Sequence, residues 1–174
     1  HLDGLLDTAD ALSSWQERER RLEILKDSHA GAFAVITCGV YFLFYYGVYS
    51  QMSLRALPVI AVSFMLSRTL SGLAVVTFPK AKKTGSVSAM ARGARDTQVE
   101  ITLGIYLALI LAVLLLLDWQ LGLVCFGAAL GVFWYYHHMA MKYFGGTTGD
   151  LAGYFVSLCE LICAFAVVAA AAVL

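Results

Sequence analysis

Charge is scarce in this sequence, and so is proline. Only 14% of the 174 residues are Asp, Glu, Lys or Arg, 60% are hydrophobic, and proline occurs twice. That balance excludes an ordinary soluble domain and a disordered chain, and it places the protein among membrane proteins. No apolar–polar alternation of period two runs along the chain, so no strand pattern competes with helices. No CxxC spacing occurs either: Cys38, Cys125, Cys159 and Cys163 all fall in apolar stretches and read as buried thiols. No signal peptide is visible in these residues. The chain opens at His1 rather than Met, inside what reads as a motif, so a natural N-terminal portion is expected to precede this numbering. The formal net charge is zero, and nucleic acid is not expected as a partner.

What is present is a series of five apolar spans, approximately Ala30–Ser50, Arg55–Pro79, Val99–Leu117, Gln120–His137 and Leu151–Leu174. Each is near the ~20 residues a bilayer requires. The expected fold is therefore all-α, a polytopic helical bundle in the lipid bilayer. It forms one domain, residues 1–174, with 1–29 an interfacial helical segment and 30–174 the transmembrane part. From Trp15 to Lys26 the pattern places Trp15, Leu22 and Leu25 near one another on a helix lying along the membrane surface, with Arg18, Arg20 and Arg21 towards headgroups or substrate. Gly127 and Gly131, four apart, predict close helix packing. Tyr45-Tyr46, Trp134-Tyr135-Tyr136 and Tyr143-Phe144 predict an interfacial belt. Lys and Arg concentrate in the N-terminal segment, in the 80–95 loop and at Lys142. By the positive-inside rule those segments face the cytoplasm of a multi-pass protein in the cytoplasmic (inner) membrane.

Residues 1–29 hold seven of the twelve acidic residues. Asp3, Asp7 and Asp10 are spaced i, i+4, i+7, which on a helix lines three carboxylates along one stripe. Such crowding is unfavourable unless a cation sits between the groups. Hard oxygen donors suit Mg²⁺, Mn²⁺ or Ca²⁺. The bland alternative is a solvated acidic face. Asp27 or Ser28 can cap the following helix. At the other end of the chain, Gly145-Gly146-Thr147-Thr148-Gly149-Asp150 opens the last span. Its glycines permit close approach of backbone N–H groups to an oxyanion, and Asp150 either caps the helix or joins the first acids around a cation. Lys80, Lys82 and Lys83 follow the second span and are placed to meet a phosphate. Within the spans, Arg68 and Glu160 lie at similar depth, roughly 16 Å in at 1.5 Å per residue. An unpaired charge there is costly, so the two are expected to be partners. His29, His137 and His138 receive no role. Nearly every polar feature falls on one side of the bundle, which fits a catalyst at a membrane surface better than a cation transporter.

The residues His-Leu-Asp-Gly-Leu-Leu-Asp-Thr-Ala-Asp (1–10), the run Arg18-Glu-Arg-Arg-Leu-Glu-Ile-Leu-Lys-Asp-Ser (18–28) and Gly31-Ala-Phe resemble the signature of the cobalamin synthase family, the adenosylcobinamide-GDP ribazoletransferases. Ser67-Arg68, Pro79-Lys80-Ala81-Lys82 and the Gly145–Asp150 turn resemble its later landmarks, in order, along the whole chain. There are departures. Ala11 stands for the usual Gly, Leu25 for Met, Lys80 and Lys82 for Tyr and Arg, and Ser157 where an acid is common, while Glu160 is retained. None removes an acid from the first motif or from the glycine turn. A rival, the CDP-alcohol phosphotransferases, resembles DGxxAR followed by GxxxDxxxD. Here no Ala-Arg follows Asp3-Gly4 and the second block is absent.

The resemblance implies a phosphotransfer closing vitamin B12 assembly. A ribose hydroxyl of α-ribazole, or of its 5′-phosphate, attacks the phosphorus attached to cobinamide in adenosylcobinamide-GDP, and GMP leaves. It implies Mg²⁺ as cofactor, held by Asp3, Asp7, Asp10 and Asp150. One of the first three acids, or Asp27, takes the hydroxyl proton. Lys26, Ser28, Lys80, Lys82, Lys83, Gly145, Gly146, Thr148 and Gly149 are the candidates for phosphate binding. A homo-oligomer is compatible with this reading.

Overall fold

The computed structural model describes residues 1–27, 29–81 and 97–174. They form α1 (Leu2–Ser13), α2 (Arg18–Ile24), α3 (Ala32–Ser50), α4 (Leu57–Thr77), α5 (Thr97–Leu117), α6 (Trp119–Met139) and α7 (Gly149–Val173), and α6 continues through a π-helical turn, Ala140–Phe144. Five of these, α3, α4, α5, α6 with its π turn, and α7, are long and apolar enough to cross a membrane. Their unpaired backbone would be prohibitive in lipid, which is why the apolar runs become helices. Among the described residues there is no strand, only a single parallel bridge between Lys80 and Thr147.

α7 is the centre. It packs on α6, α1 and α4, and buries Leu151, Phe155, Cys159, Cys163 and Val167 completely. α3 and α5 are peripheral and show Phe33, Ile36, Leu43, Ile101, Ile105 and Leu109 outward, as lipid-facing helices should. The two short turns meet at one end of the bundle. There Asp118 caps α6 by accepting from the Gln120 and Leu121 amides, and Arg55 Nε donates to Asp118 Oδ2 at 2.6 Å. Arg55 holds the Asp118 carboxyl below its usual range. Halfway along, Arg68 Nη1 meets Glu160 Oε1, while Ser67 Oγ donates to the same oxygen at 3.2 Å and Arg68 also donates to the Phe64 carbonyl. The two in-span charges are thus joined across α4 and α7. All four thiols are free, three of them buried.

Several details differ from the sequence expectations. The fourth span does not stop at His137 but runs to Phe144. His137 stacks edge-on to Phe78 and His138 Nδ1 reaches the Trp134 carbonyl oxygen, so neither histidine interrupts the helix. Gly127 and Gly131 have open space over their Cα atoms. The packed face of α6 is instead Cys125, Ala129, Val132 and Tyr136. Tyr136 and Phe144 are wholly buried rather than interfacial, whereas Trp134 and Tyr46 lie open. Trp15 does not join Leu22 and Leu25 on one helix. It sits in the link before α2 with a left-handed φ of 53° and is exposed.

Candidate active site

The site is built where α1 crosses the first turn of α7. On α1, Leu5, Thr8 and Ala11 are buried, three and six residues apart on the face that docks. The crossing is tight because Gly4 has no side chain. A Cβ there would lie 2.3 Å from the Asp150 carbonyl oxygen, and one on Gly153 would lie 3.2 Å from the His1 carbonyl oxygen. Bringing the two backbones this close sets Asp3 and Asp7 beside Asp150. Together with Leu6, Leu25, Lys26, Asp27 and Ala30 these three acids line a cleft of about 360 Å³.

Acids dominate the electrostatics of the cleft, with Lys26 at its edge. The Asp7 carboxyl is pushed up to about 6, first by burial and then by the negative charge of Asp3, Asp150 and Asp10. Asp27 behaves oppositely. Its Oδ1 accepts from the His29 backbone N–H at 3.0 Å and meets the His29 ring at 2.8 Å, and these bonds hold its carboxyl below the usual range. Asp27 is therefore tied into its own turn and does not cap α3.

That cap comes from Asp10. Its Oδ2 accepts from Gly31 N at 2.6 Å and its Oδ1 from Ala34 N at 2.9 Å, which satisfies amides left open at the start of α3. Both oxygens of the third acid in the stripe are thus engaged by backbone, and it does not line the cleft. Helical spacing made the three acids look equivalent. Nothing in the spacing shows that a second helix begins opposite Asp10.

The glycine turn is held rather than open. Gly145 has φ 69°, in the region where a side chain is strained, and closes the π turn by donating to Met141 O. Gly146 N donates to Ala140 O, and Thr147 N to Pro79 O at 2.8 Å, while Ala81 N donates to Thr147 O. A Cβ on Gly146 would lie 2.5 Å from Pro79 O. The turn therefore pairs with the segment after α4, and the Tyr136 and Thr147 hydroxyls bond to each other beneath it. Thr148 Oγ1 accepts from Leu151 N and caps α7. The amides of 145–147 thus already have carbonyl partners, which leaves less of the turn available to an anion than its composition suggested. Lys80 is likewise engaged: its ammonium donates to the Val75 and Phe78 carbonyls at the end of α4. Lys26 borders the cleft and is exposed. Ser28, Lys82 and Lys83 lie outside the described residues.

Sequence reasoning passed over the packing roles of Gly4 and Gly153 and the cap formed by Asp10, and it placed Arg18 towards headgroups or substrate without its contact to Gly145. The Arg18 guanidinium occupies the space over Gly145, where an added Cβ would fall 1.9 Å from its central carbon. The available signal for the crossing was Gly4 between Asp3 and Leu5 in a helix, where glycine is unfavourable without a packing reason.

The donor set fits a hard divalent cation. Three carboxylates from two helices border one cleft, and their mutual repulsion is visible in Asp7. Among the described residues no three acidic, histidine or cysteine side chains close into a ready-made cage. Mg²⁺ does not need one, since it keeps several waters and takes one or two carboxylates together with substrate phosphates.

Comparison with known proteins gives a consistent result. The family described as cobalamin-5-phosphate synthase matches residues 1–168. The adenosylcobinamide-GDP ribazoletransferase of Lachnoclostridium phytofermentans is 49% identical over 174 residues, covering 100% of this chain and 67% of that protein. The protein of the same name from Desulfitobacterium hafniense is 34% identical over 166 residues, 93% of this chain and 65% of the relative. That from Desulforamulus reducens is 33% identical over 154 residues, 88% and 60%. The chain thus spans about two thirds of the length of the curated relatives it matches. No solved structure matches.

Proposed function

Because the chain belongs to the cobalamin-5-phosphate synthase family, we propose that it carries the catalytic face of an adenosylcobinamide-GDP ribazoletransferase. The observation that carries this reading is the convergence of Asp3 and Asp7 with Asp150 at the Gly4–Gly153 crossing. In the reaction a ribose hydroxyl of α-ribazole, or of its 5′-phosphate, attacks the phosphorus attached to cobinamide. The new P–O bond forms as the bond to the GMP phosphate breaks, and GMP departs.

Asp3, Asp7 and Asp150 would hold Mg²⁺, which neutralises charge on the transferring and leaving phosphates. The hydroxyl proton goes to a carboxylate of the cleft. Asp27 is the poorest acceptor, because its charged form is already stabilised by His29. Asp3, Asp7 and Asp150 are the other carboxylates of the cleft, and the oxygen among them left free of the cation takes the proton. Lys26, at the cleft edge, is the described lysine placed to steady the leaving phosphate. Asp10 acts at one remove, fixing α3 against α1. Arg and Lys collect at this end of the bundle, and by the positive-inside rule it faces the cytoplasm of the inner membrane.

The test is turnover of adenosylcobinamide-GDP plus α-ribazole by the full-length protein, with Mg²⁺ or EDTA, following GMP release and corrinoid product together. Product that depends on Mg²⁺ is expected from the wild type and not from Asp7→Asn. A folded wild type that forms no product would overturn the reading and direct attention to CDP-alcohol substrates.

A further inference from the structure

The cations of this face are not all accounted for by the acid cleft. Arg20 is paired with Glu23 at 2.6 Å, and Lys80 is spent on the carbonyls of α4. Arg21 is different. It is buried, with 9% of its surface exposed, yet its Nε has no hydrogen-bond partner. Its guanidinium lies over the Tyr143 ring, 4.7 Å from the centroid, and Lys142 Nζ lies 5.1 Å from the same centroid. Arg18 lies against Gly145, two residues beyond Tyr143. Among the described residues no carboxylate forms an ion pair with any of the three. A buried guanidinium stacked on an aromatic ring but lacking an acceptor carries an unmet demand for an anion.

The placement gives that anion a setting. Arg18, Arg21 and Leu25 recur at i, i+3 and i+7, so they share one face of α2 and its C-terminal turn. Leu25 lines the acid cleft. Arg21 therefore lies about one helical turn from the cleft and Arg18 about two, roughly 6 and 10 Å along the axis.

We propose that Arg21, with Arg18 and Lys142 around Tyr143 and Gly145, forms a subsite for a substrate phosphate group outside the acid cleft. The guanidinium groups donate N–H bonds to the phosphate oxygens, and Tyr143 and the side-chain-free Gly145 hold them in place. The inference rests on the phosphotransferase reading for the identity of the ligand. The phosphate belongs either to the acceptor, as the 5′-phosphate of α-ribazole 5′-phosphate, or to the guanylate.

Direct binding separates these, and it does not depend on turnover. Affinities of the full-length protein would be measured in EDTA for α-ribazole against its 5′-phosphate, and for guanosine against GMP. Wild type should bind at least one phosphorylated form about ten- to a hundred-fold more tightly than its dephosphorylated partner, the scale of one or two charge-assisted bonds. Arg21→Gln and Arg18→Gln should remove that preference and leave the dephosphorylated ligand unaffected. Loss in the ribazole pair assigns the acceptor's phosphate; loss in the guanosine pair assigns the guanylate. Arg21→Lys, which keeps the charge but not the planar fork, should fall between. Should Arg21→Gln fail to fold, the exposed Arg18 decides alone. A wild type with no phosphate preference, or variants that keep it, would overturn the subsite. A phosphate preference without turnover of adenosylcobinamide-GDP would leave the subsite standing and sink the proposed reaction.

Discussion

Halfway along the bundle, Arg68 and Glu160 face each other across α4 and α7. At its charged end, Asp3, Asp7 and Asp150 gather where α1 crosses the same α7. Both sets belong to a chain with few charges, and α7 supplies a member of each. The first set is complete. A cation meets an anion, Ser67 fills a further position on the carboxylate, and nothing further is required of the surroundings. The second set is one-signed, and burial with like charge raises the Asp7 proton affinity. A charge cluster that neutralises itself is structural. One that accumulates a single sign at a crossing drawn tight by glycines waits for an outside partner.

The sharpest way to break that contrast is to neutralise one member of each set. Asp7→Asn should lower kcat by about 10²–10³-fold, the scale of losing one preorganised electrostatic contact in a transition state. Thermal stability measured in EDTA should be equal or higher, because repulsion is relieved. Were Asp7→Asn to unfold the protein while sparing turnover of the folded fraction, the two regions would have to exchange roles.

Gly4→Ala tests the crossing without touching a charge. The added Cβ would overlap the Asp150 carbonyl oxygen, which is backbone and has no rotamer to escape into. α1 must shift along or away from α7, so Asp3 and Asp7 part from Asp150. A displacement near 1 Å is expected to cost about 10²-fold in kcat/KM, read by the same turnover assay with Mg²⁺ at saturation. Activity within about threefold of wild type would show that the three acids do not act as a unit.

In the other region the same logic predicts lost stability with preserved chemistry. Glu160→Gln strips the partner from Arg68, and should destabilise the protein by about 1–3 kcal/mol. Turnover per folded molecule should remain within about twofold. Exchanging the charges, Arg68→Glu with Glu160→Arg, should recover part of what either reversal loses, as read by thermal unfolding in one detergent. No recovery would mean that Phe64 O and Ser67 anchor the two side chains independently.

These outcomes bear on what a sequence can convey. The spans were legible because apolar length alone identifies them, and the Arg68–Glu160 pair because depth can be counted from span ends. The helical stripe of Asp3, Asp7 and Asp10 was legible too, since Leu2–Ser13 is a helix as the spacing required. The division of labour within it was not. Asp10 turns to the start of α3, twenty-one residues away in the chain, and only the docking of α1 on α3 decides this. The pairing of the glycine turn was hidden for a related reason. Gly146 and Thr147 engage the Pro79–Ala81 backbone, a partner about 66 residues earlier in the chain that composition cannot reveal. Arg21 was placed towards headgroups or substrate, and the sequence did not show that its guanidinium lies over Tyr143 of the π-helical turn.

The smallest expected effect is the most specific to the acid cleft. Asp7 has its carboxyl raised from 3.8 to about 6. A raised folded-state value means that the contribution of this group to stability is fully present below about pH 4 and is lost as pH rises through 6. In EDTA, therefore, wild type should lose stability relative to Asp7→Asn between pH 5 and pH 7.5. The shift is on the order of 2 °C, because solvent around a partly exposed carboxylate screens its interactions. Mg²⁺ should reverse the sign. A cation competes with the proton for the same oxygens, so adding it should raise the wild-type unfolding temperature at pH 7.5 and scarcely at pH 5. Neither response should survive in Asp7→Asn, whereas Glu160→Gln should retain both. If Mg²⁺ stabilised wild type and Asp7→Asn equally at pH 7.5, the cation would be bound elsewhere, and the one-signed cluster would be only a solvated acidic edge.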